Sequence, residues 1–255
     1  MLTWIGPEAQ VMLAICAFYV YDACVPLAAD AGQLRRGRSG WRGLLAMQGF
    51  EVRWAYLAWP ALLLPHQPVY TLRWDPAHVH LSGNAQAVRH LQAHAASFTG
   101  FALPLYGLGA ALFALLPTVL FIRPSETAQL GALALIYGFA LWIALLARRH
   151  GQRGHTPRRT ARSVAVQAIL CPPFALNAVR KLSAAHSPPC DWLQAAHTLL
   201  EPGEWRDLAQ RAQSVIEAGM DEAQAEGRVE MLQRLGAAHG RLQASTETGT
   251  QGQTP

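Results

Sequence analysis

Two charge-free apolar stretches constrain this chain more than anything else in it: residues 99–122, TGFALPLYGLGAALFALLPTVLFI, and residues 130–147, LGALALIYGFALWIALLA. Each has the roughly 17–25 apolar residues that an α-helix needs to cross a bilayer. Only seven residues join them, so the pair is expected to form a tight antiparallel transmembrane hairpin. Small residues four apart, Gly107 with Ala111 and Ala134 with Gly138, would let the two backbones approach closely.

A third stretch, residues 9–29, is long enough to span but is interrupted by Asp22. Its flank MLTWIGPE carries no Lys or Arg, which argues against a secretory signal. A carboxylate near the centre of a spanning helix costs about 2.5–3.5 kcal/mol on insertion scales, so Asp22 either sits in the headgroup zone, pairs within the bundle, or serves as a relay. Two further apolar segments are broken. Residues 54–65 have a proline in their middle and aromatics suited to an interface. Residues 163–181 contain Pro172-Pro173, which must kink or end a helix. Basic residues flank the second on both sides, so it reads as a re-entrant or interfacial helix pair, with a fourth span as the alternative.

Composition agrees with a membrane protein. Charged residues make up 15% of the chain, against roughly 25% in an ordinary globular domain. The basic residues are placed unevenly. Arg35, Arg36, Arg38 and Arg42 follow the 9–29 stretch, and Arg148, Arg149, Arg153, Arg158, Arg159 and Arg162 follow the 130–147 stretch without an intervening acid. The positive-inside rule then puts the N-terminus outside and both arginine clusters and the C-terminus in the cytoplasm, as in a bacterial inner membrane. Attraction to anionic headgroups adds about 1 kcal/mol per Arg near the surface. The calculated pI of about 9.3 is therefore a topology signal, and nucleic acid is not the expected partner. The four cysteines form no CxxC pair and no disulfide framework.

The expected fold is a mainly α integral membrane protein of three spans, or four if 163–181 crosses. Its parts are a first span (1–30), a small cytoplasmic α/β insertion (31–98), the hairpin (99–148), a basic loop with the proline-broken segment (149–182), cytoplasmic helices (183–240) and a disordered tail (241–255). In the insertion, VYTLRW alternates, with Tyr70, Leu72 and Trp74 on one face. After Asp75-Pro76, HVHL alternates again, and the two runs read as a β-hairpin. SGN then opens a helix over AQAVRHLQAHAASF. Beyond residue 183 there are ten acids and five arginines, and Trp205, Leu208, Ala212 and Ile216 fall in one helical stripe, a candidate surface for a protein partner or a second copy.

Four histidines in HVHLSGNAQAVRHLQAH, residues 78–94, are the best chemical clue. His78 and His80 are spaced for one face of a strand, and His90 and His94 for one face of a helix. Imidazoles suit zinc, copper or iron, so a transition metal or haem is the cofactor reading of these four. It requires the two polar faces to meet. Both pairs point away from the apolar side of their own element, so solvated faces are the expectation and no cofactor is the preferred reading. HLQAH lacks the glutamate of HExxH, and no GxGxxG, GxxxxGK[ST] or GxSxG occurs. No catalytic residue stands out. The sequence thus favours a non-catalytic structural, assembly or regulatory membrane subunit over an enzyme. The alternatives are a metal- or haem-bearing membrane protein, and a transport component using Asp22 and the break at 171–177.

Overall fold

The computed structural model describes residues 6–251 apart from 28–30, 38–39, 46–49, 53–54, 59–63, 80, 82–84, 123–124 and 187–189. The chain is mainly α-helical and divides into two compact units. The first contains residues 1–25, 59–69 and 93–186; the second contains 26–58, 70–92 and 187–255.

The first unit is a helical bundle. Helix α1 (Pro7–Ala23) starts on a proline, whose fixed φ suits a first turn, and stops at Ala23 before the strand β1 (Val25–Leu27). It ends six residues short of the expected span and, at 17 residues, is about 25 Å long. Two helical runs are long and apolar enough to cross a membrane, Ala85–Ile122 and Glu126–Gln152. The first is composite. Helix α2 (Ala85–Ala96) leads through a short tight turn to α3 (Ala102–Ala110), which continues as two π-helical turns, Ala111–Leu115 and Thr118–Ile122. Pro117, which has no N–H to give an i−4 carbonyl, lies between these turns, and such widened turns absorb the missing bond.

Helix α4 (Glu126–Gln152) packs on this run and on the helix that follows it, and the side chains it buries are Ala132, Ile136, Ala140, Ile143, Ala144 and Ala147. That face differs from the expected one. Gly107 does meet α4 closely, since a Cβ there would collide with Phe139, but Ala134 and Gly138 are exposed. Small residues on both helices predict contact, whereas the choice of stripe depends on rotation about the axis, which the larger Ile136 and Ile143 decide.

Gly154, at φ +79°, reverses the chain after α4, and Pro157 leads into α5 (Arg158–Leu170). Gly151 allows α4 and α5 to touch, because a Cβ there would come within 2.5 Å of the Ala161 Cβ. Helix α5 runs about 20 Å and breaks at Cys171 before Pro172-Pro173. The chain then returns through α6 (Pro172–Ala175) and α7 (Ala178–Ala184). Ser183 pins α7 to the strand entrance at Val69. Its Oγ accepts from the Val69 N–H at 2.9 Å and donates to the Val69 carbonyl at 3.0 Å.

In the second unit, β2 (Ala31–Gly37) and β3 (Gly40–Leu45) form an antiparallel hairpin in which Gly37 faces Gly40. Gly40 adopts φ +128°, open only to glycine. Strand β6 (Val69–Arg73) adds to the other side of β2, giving the order β3-β2-β6. Its residues alternate as the sequence does, with Tyr70 and Leu72 buried, followed by Trp74. At HVHL, where a partner strand is expected, the described residues 78, 79 and 81 are not in a strand. Instead the Asp75 carboxylate accepts from the Ala77 N–H at 2.9 Å and meets His78 Nδ1 at 2.7 Å, closing a turn. A second sheet, in the order β1-β5-β4, contains β4 (Phe50–Val52) and β5 (Ala55–Ala58). Part of the segment read as interfacial, 54–65, is therefore strand, and residues 59–63 lie outside the described ones.

Helices α8 (Trp192–Leu199), α9 (Pro202–Ala225) and α10 (Val229–Gln251) complete this unit. Trp192 is fully buried and lies on Gly32, where any Cβ would overlap its ring. The candidate partner stripe, Trp205, Leu208, Ala212 and Ile216, is buried in α9's packing against α10 and β3, so the chain itself covers it. Helix α10 reaches Gln251, and Leu242 in it is fully buried. The tail read as disordered from 241 is thus helical to 251. Leu242 carries into it the buried apolar stripe that Leu235 and Ala238 begin.

Candidate functional site

The four histidines of residues 78–94 take separate partners. His78 is exposed and held by Asp75. His80 lies outside the described residues. His90 is exposed, with its Nε2 3.5 Å from the Gln86 amide. His94 is buried, which corrects the expectation of a solvated face. At 100° per residue it lies only about 60° from Leu91, so the surface covering α2 needs to be only slightly wider than the apolar arc to enclose it.

What surrounds His94 is a histidine cluster that the sequence did not signal. His186 stacks on it with ring centroids 4.0 Å apart and planes 12° apart. His150, at the end of α4, and His155, in the following turn, lie 5.5 and 6.4 Å away by the same measure. Phe98 stacks on His150 at 4.5 Å. The hydrogen bonds assign the tautomers. His94 Nε2 must donate to the His155 carbonyl, 2.8 Å away, because a carbonyl only accepts. Ser97 gives its proton to the His94 carbonyl at 2.6 Å, so its oxygen accepts from His150 Nε2 at 2.8 Å. His150 Nδ1 then accepts from the Thr156 hydroxyl at 3.1 Å.

Both buried imidazoles lie outside the apolar stretches 99–122 and 130–147. Burial pushes each down to about 4 from the ordinary 6.5, and charge repulsion from neighbouring histidines adds to this, against a smaller upward pull on His94 from its bond to the His155 carbonyl. His94 and His150 are therefore neutral at pH 7. Ser97 and His150 have the reach of a nucleophile–base pair. The Ser97 proton, however, is already committed, His150 is oriented by a hydroxyl and not a carboxylate, and an acceptor near 4 is a weak base at neutral pH. The arrangement pins α2, α4 and the 153–157 turn together. Among the described residues, no group of three or more His, Cys, Asp or Glu side chains is arranged to hold a metal ion.

Asp22 has a defined environment. It forms a 2.6 Å ion pair with Lys181, the only lysine, and accepts from the Asn177 amide at 3.0 Å. Asn177 also donates to the Tyr19 carbonyl and accepts from Arg180 at 2.9 Å, and Arg180 bonds the Tyr19 hydroxyl. Lys181 also donates to Gln167 at 2.8 Å and lies 5.0 Å from the Phe174 ring centroid. One carboxylate thus sits among two cations where α1 meets the returning limb of the proline-broken segment. Fully paired, it is a staple between α1 and α7.

The arginines fall into two settings. In the second unit, Arg35 reaches Gln33, Arg36 reaches the Gln92 carbonyl at 3.5 Å, and Arg42 pairs with Glu204 at 3.5 Å; Arg38 is outside the described residues. In the first unit, Arg148, Arg149, Arg153, Arg158, Arg159 and Arg162 are all exposed around the α4–α5 corner.

An apolar groove of about 460 Å³ runs between α1 and the hairpin, lined by Val11, Ile15, Leu116, Leu120, Leu133 and Ile136 among others. No family model, curated protein or solved structure matches the chain.

Proposed function

We propose that this chain is a non-catalytic integral membrane protein, a structural, assembly or regulatory subunit that binds a protein partner through its cytoplasmic regions. The observation that carries the reading is the outward face of the hairpin. Leu103, Phe121, Leu130, Leu135, Leu141 and Leu145 all point away from the protein, and Leu130 is 67% exposed. Each such side chain left in water forgoes about 1.5–3 kcal/mol, and a belt this long is met by lipid. The second unit has its own core, and among the described residues no reactive constellation accompanies it.

The orientation we propose is N-terminus outside and both arginine clusters cytoplasmic, in a bacterial inner membrane. The course of α1 supports it. Its first turns line the same groove as Leu120 and Leu133, far from the arginine corner, while Asp22 in its last turn reaches Lys181. Helix α1 thus runs antiparallel to α3 as a third, short member of the bundle. Helices α5 to α7 then form a re-entrant pair entering from the cytoplasmic side.

Mild-detergent purification at native expression level tests the reading. One protein is expected at a fixed ratio, with no stoichiometric metal and no visible pigment. A chain that purifies alone contradicts the partner assignment, and stoichiometric metal or haem would favour the metalloprotein alternative.

A further inference from the structure

Helices α4 and α5 meet at a corner where like charges converge. Arg148 from the end of α4 and Arg158 and Arg162 from the start of α5 line one pocket of about 200 Å³, together with Gly151, Gln152 and Ala161. At roughly 30 Å³ per water, the space holds about six waters, more than enough for a tetrahedral oxyanion. The closeness is built in, because only a glycine at 151 lets Ala161 approach.

The charges break two local rules. Residues 148–162 contain six arginines and no acid, and among the described residues none of the six is in an ion pair. Arg158, Arg159 and Arg162 also take three of the first five positions of α5, the positive end of the helix dipole, where acids are favoured and cations repelled. The first turn of α5 has no acid and no side-chain cap on its N–H groups. A convergence that is unfavourable in the bare protein becomes favourable once an anion sits in it. Guanidinium forks and free first-turn amides suit phosphate oxygens best.

We propose that the pocket between Arg148, Arg158 and Arg162 is a site for one phosphate group. Its position at the cytoplasmic end of the hairpin, which rests on the membrane reading above, makes the headgroup of an anionic phospholipid one source and a free phosphate compound the other. Single occupancy distinguishes the site from diffuse attraction to a charged surface.

The full chain in a neutral maltoside detergent is titrated calorimetrically with inorganic phosphate in one arm and dioctanoyl phosphatidylglycerol in the other. Saturable binding at one per chain is expected in at least one arm. Arg158→Gln with Arg162→Gln should weaken it about tenfold or more, since two charge-assisted contacts are lost. The charge-matched control, Arg149→Gln with Arg159→Gln, lies outside the pocket lining and should weaken it less than about threefold. Phosphate that binds and displaces the lipid identifies a free phosphate compound as a competent ligand; lipid binding that phosphate does not displace identifies the headgroup. Equal loss in the two double variants, or no saturable binding of either probe, overturns the proposal. Neither result depends on whether a protein partner co-purifies.

Discussion

Replacing Asp22 with alanine is expected to destabilise the first unit by about 3–5 kcal/mol, the usual cost of stranding buried charge. The Asp22 side chain is 14% exposed and the Lys181 side chain 25%, and Arg180 is 5% exposed beside them. Losing the carboxylate leaves two cations facing each other with no anion. Lys181→Met should cost distinctly less, because Arg180 continues to neutralise Asp22 and Asn177 keeps its hydrogen bond. The double variant, Asp22→Leu with Lys181→Met, should recover part of the loss. Thermal unfolding in detergent gives the ranking. Equal effects for the two single variants would mean that the pair is not the staple described above. A relay function would appear differently, as lost activity in Asp22→Asn with the melting temperature unchanged.

Acid should loosen the histidine cluster. In the unfolded chain His94 and His150 take up protons as the pH falls through about 6.5, whereas the folded protein excludes them until about 4. The unfolded state therefore binds more protons in that window, and stability falls with pH. The contribution of the neutral histidines is complete above about pH 6.5 and is lost progressively between 6.5 and 4. One such group is worth about 3 kcal/mol across the window, and two that repel each other lose several kcal/mol together. Melting temperatures measured from pH 7.5 to 4.5 should drop accordingly. His150→Gln, which retains a donor and an acceptor for Ser97 and Thr156, should melt lower at pH 7.5 but with a visibly shallower pH slope. A slope identical to that of the parent chain would remove His150 from the account.

The parts of this fold that could be read from sequence are those fixed by local periodicity. The apolar stretches 99–122 and 130–147 fall in the two helical runs of membrane-crossing length, and Tyr70, Leu72 and Trp74 share the buried side of their strand because alternation survives any choice of neighbour. Neighbours themselves are not local. HVHL had the pattern of a strand, but β2, more than thirty residues earlier, took the edge of β6, and Asp75 folded the following residues into a turn. The Trp205 stripe was correctly periodic and gave no hint that α10 would cover it, since a stripe made for a partner and one made for the same chain look alike.

The site shows the same limit more sharply. His94 was visible as one of four histidines, yet its actual neighbours are 56, 61 and 92 residues away at His150, His155 and His186. Nothing in HLQAH could select them over His90. Asp22 was visible as a charge in an apolar run, but Lys181 and Asn177 lie across the whole bundle from it in sequence. The only advance signal was compositional, in that the sole lysine of an arginine-rich chain sits beside the proline break.

Lipid exposure of the hairpin is the claim on which the rest depends. Spin labels placed singly at Leu115, Leu135 and Leu141, and at Arg159 and Glu217 for comparison, would report it in a reconstituted chain whose four cysteines have been replaced. The three apolar positions are predicted to be relaxed by oxygen and shielded from an aqueous nickel chelate, and the two charged positions to show the reverse. Labels at Leu135 and Leu141 that the nickel chelate reaches as readily as Glu217 would contradict the membrane hairpin.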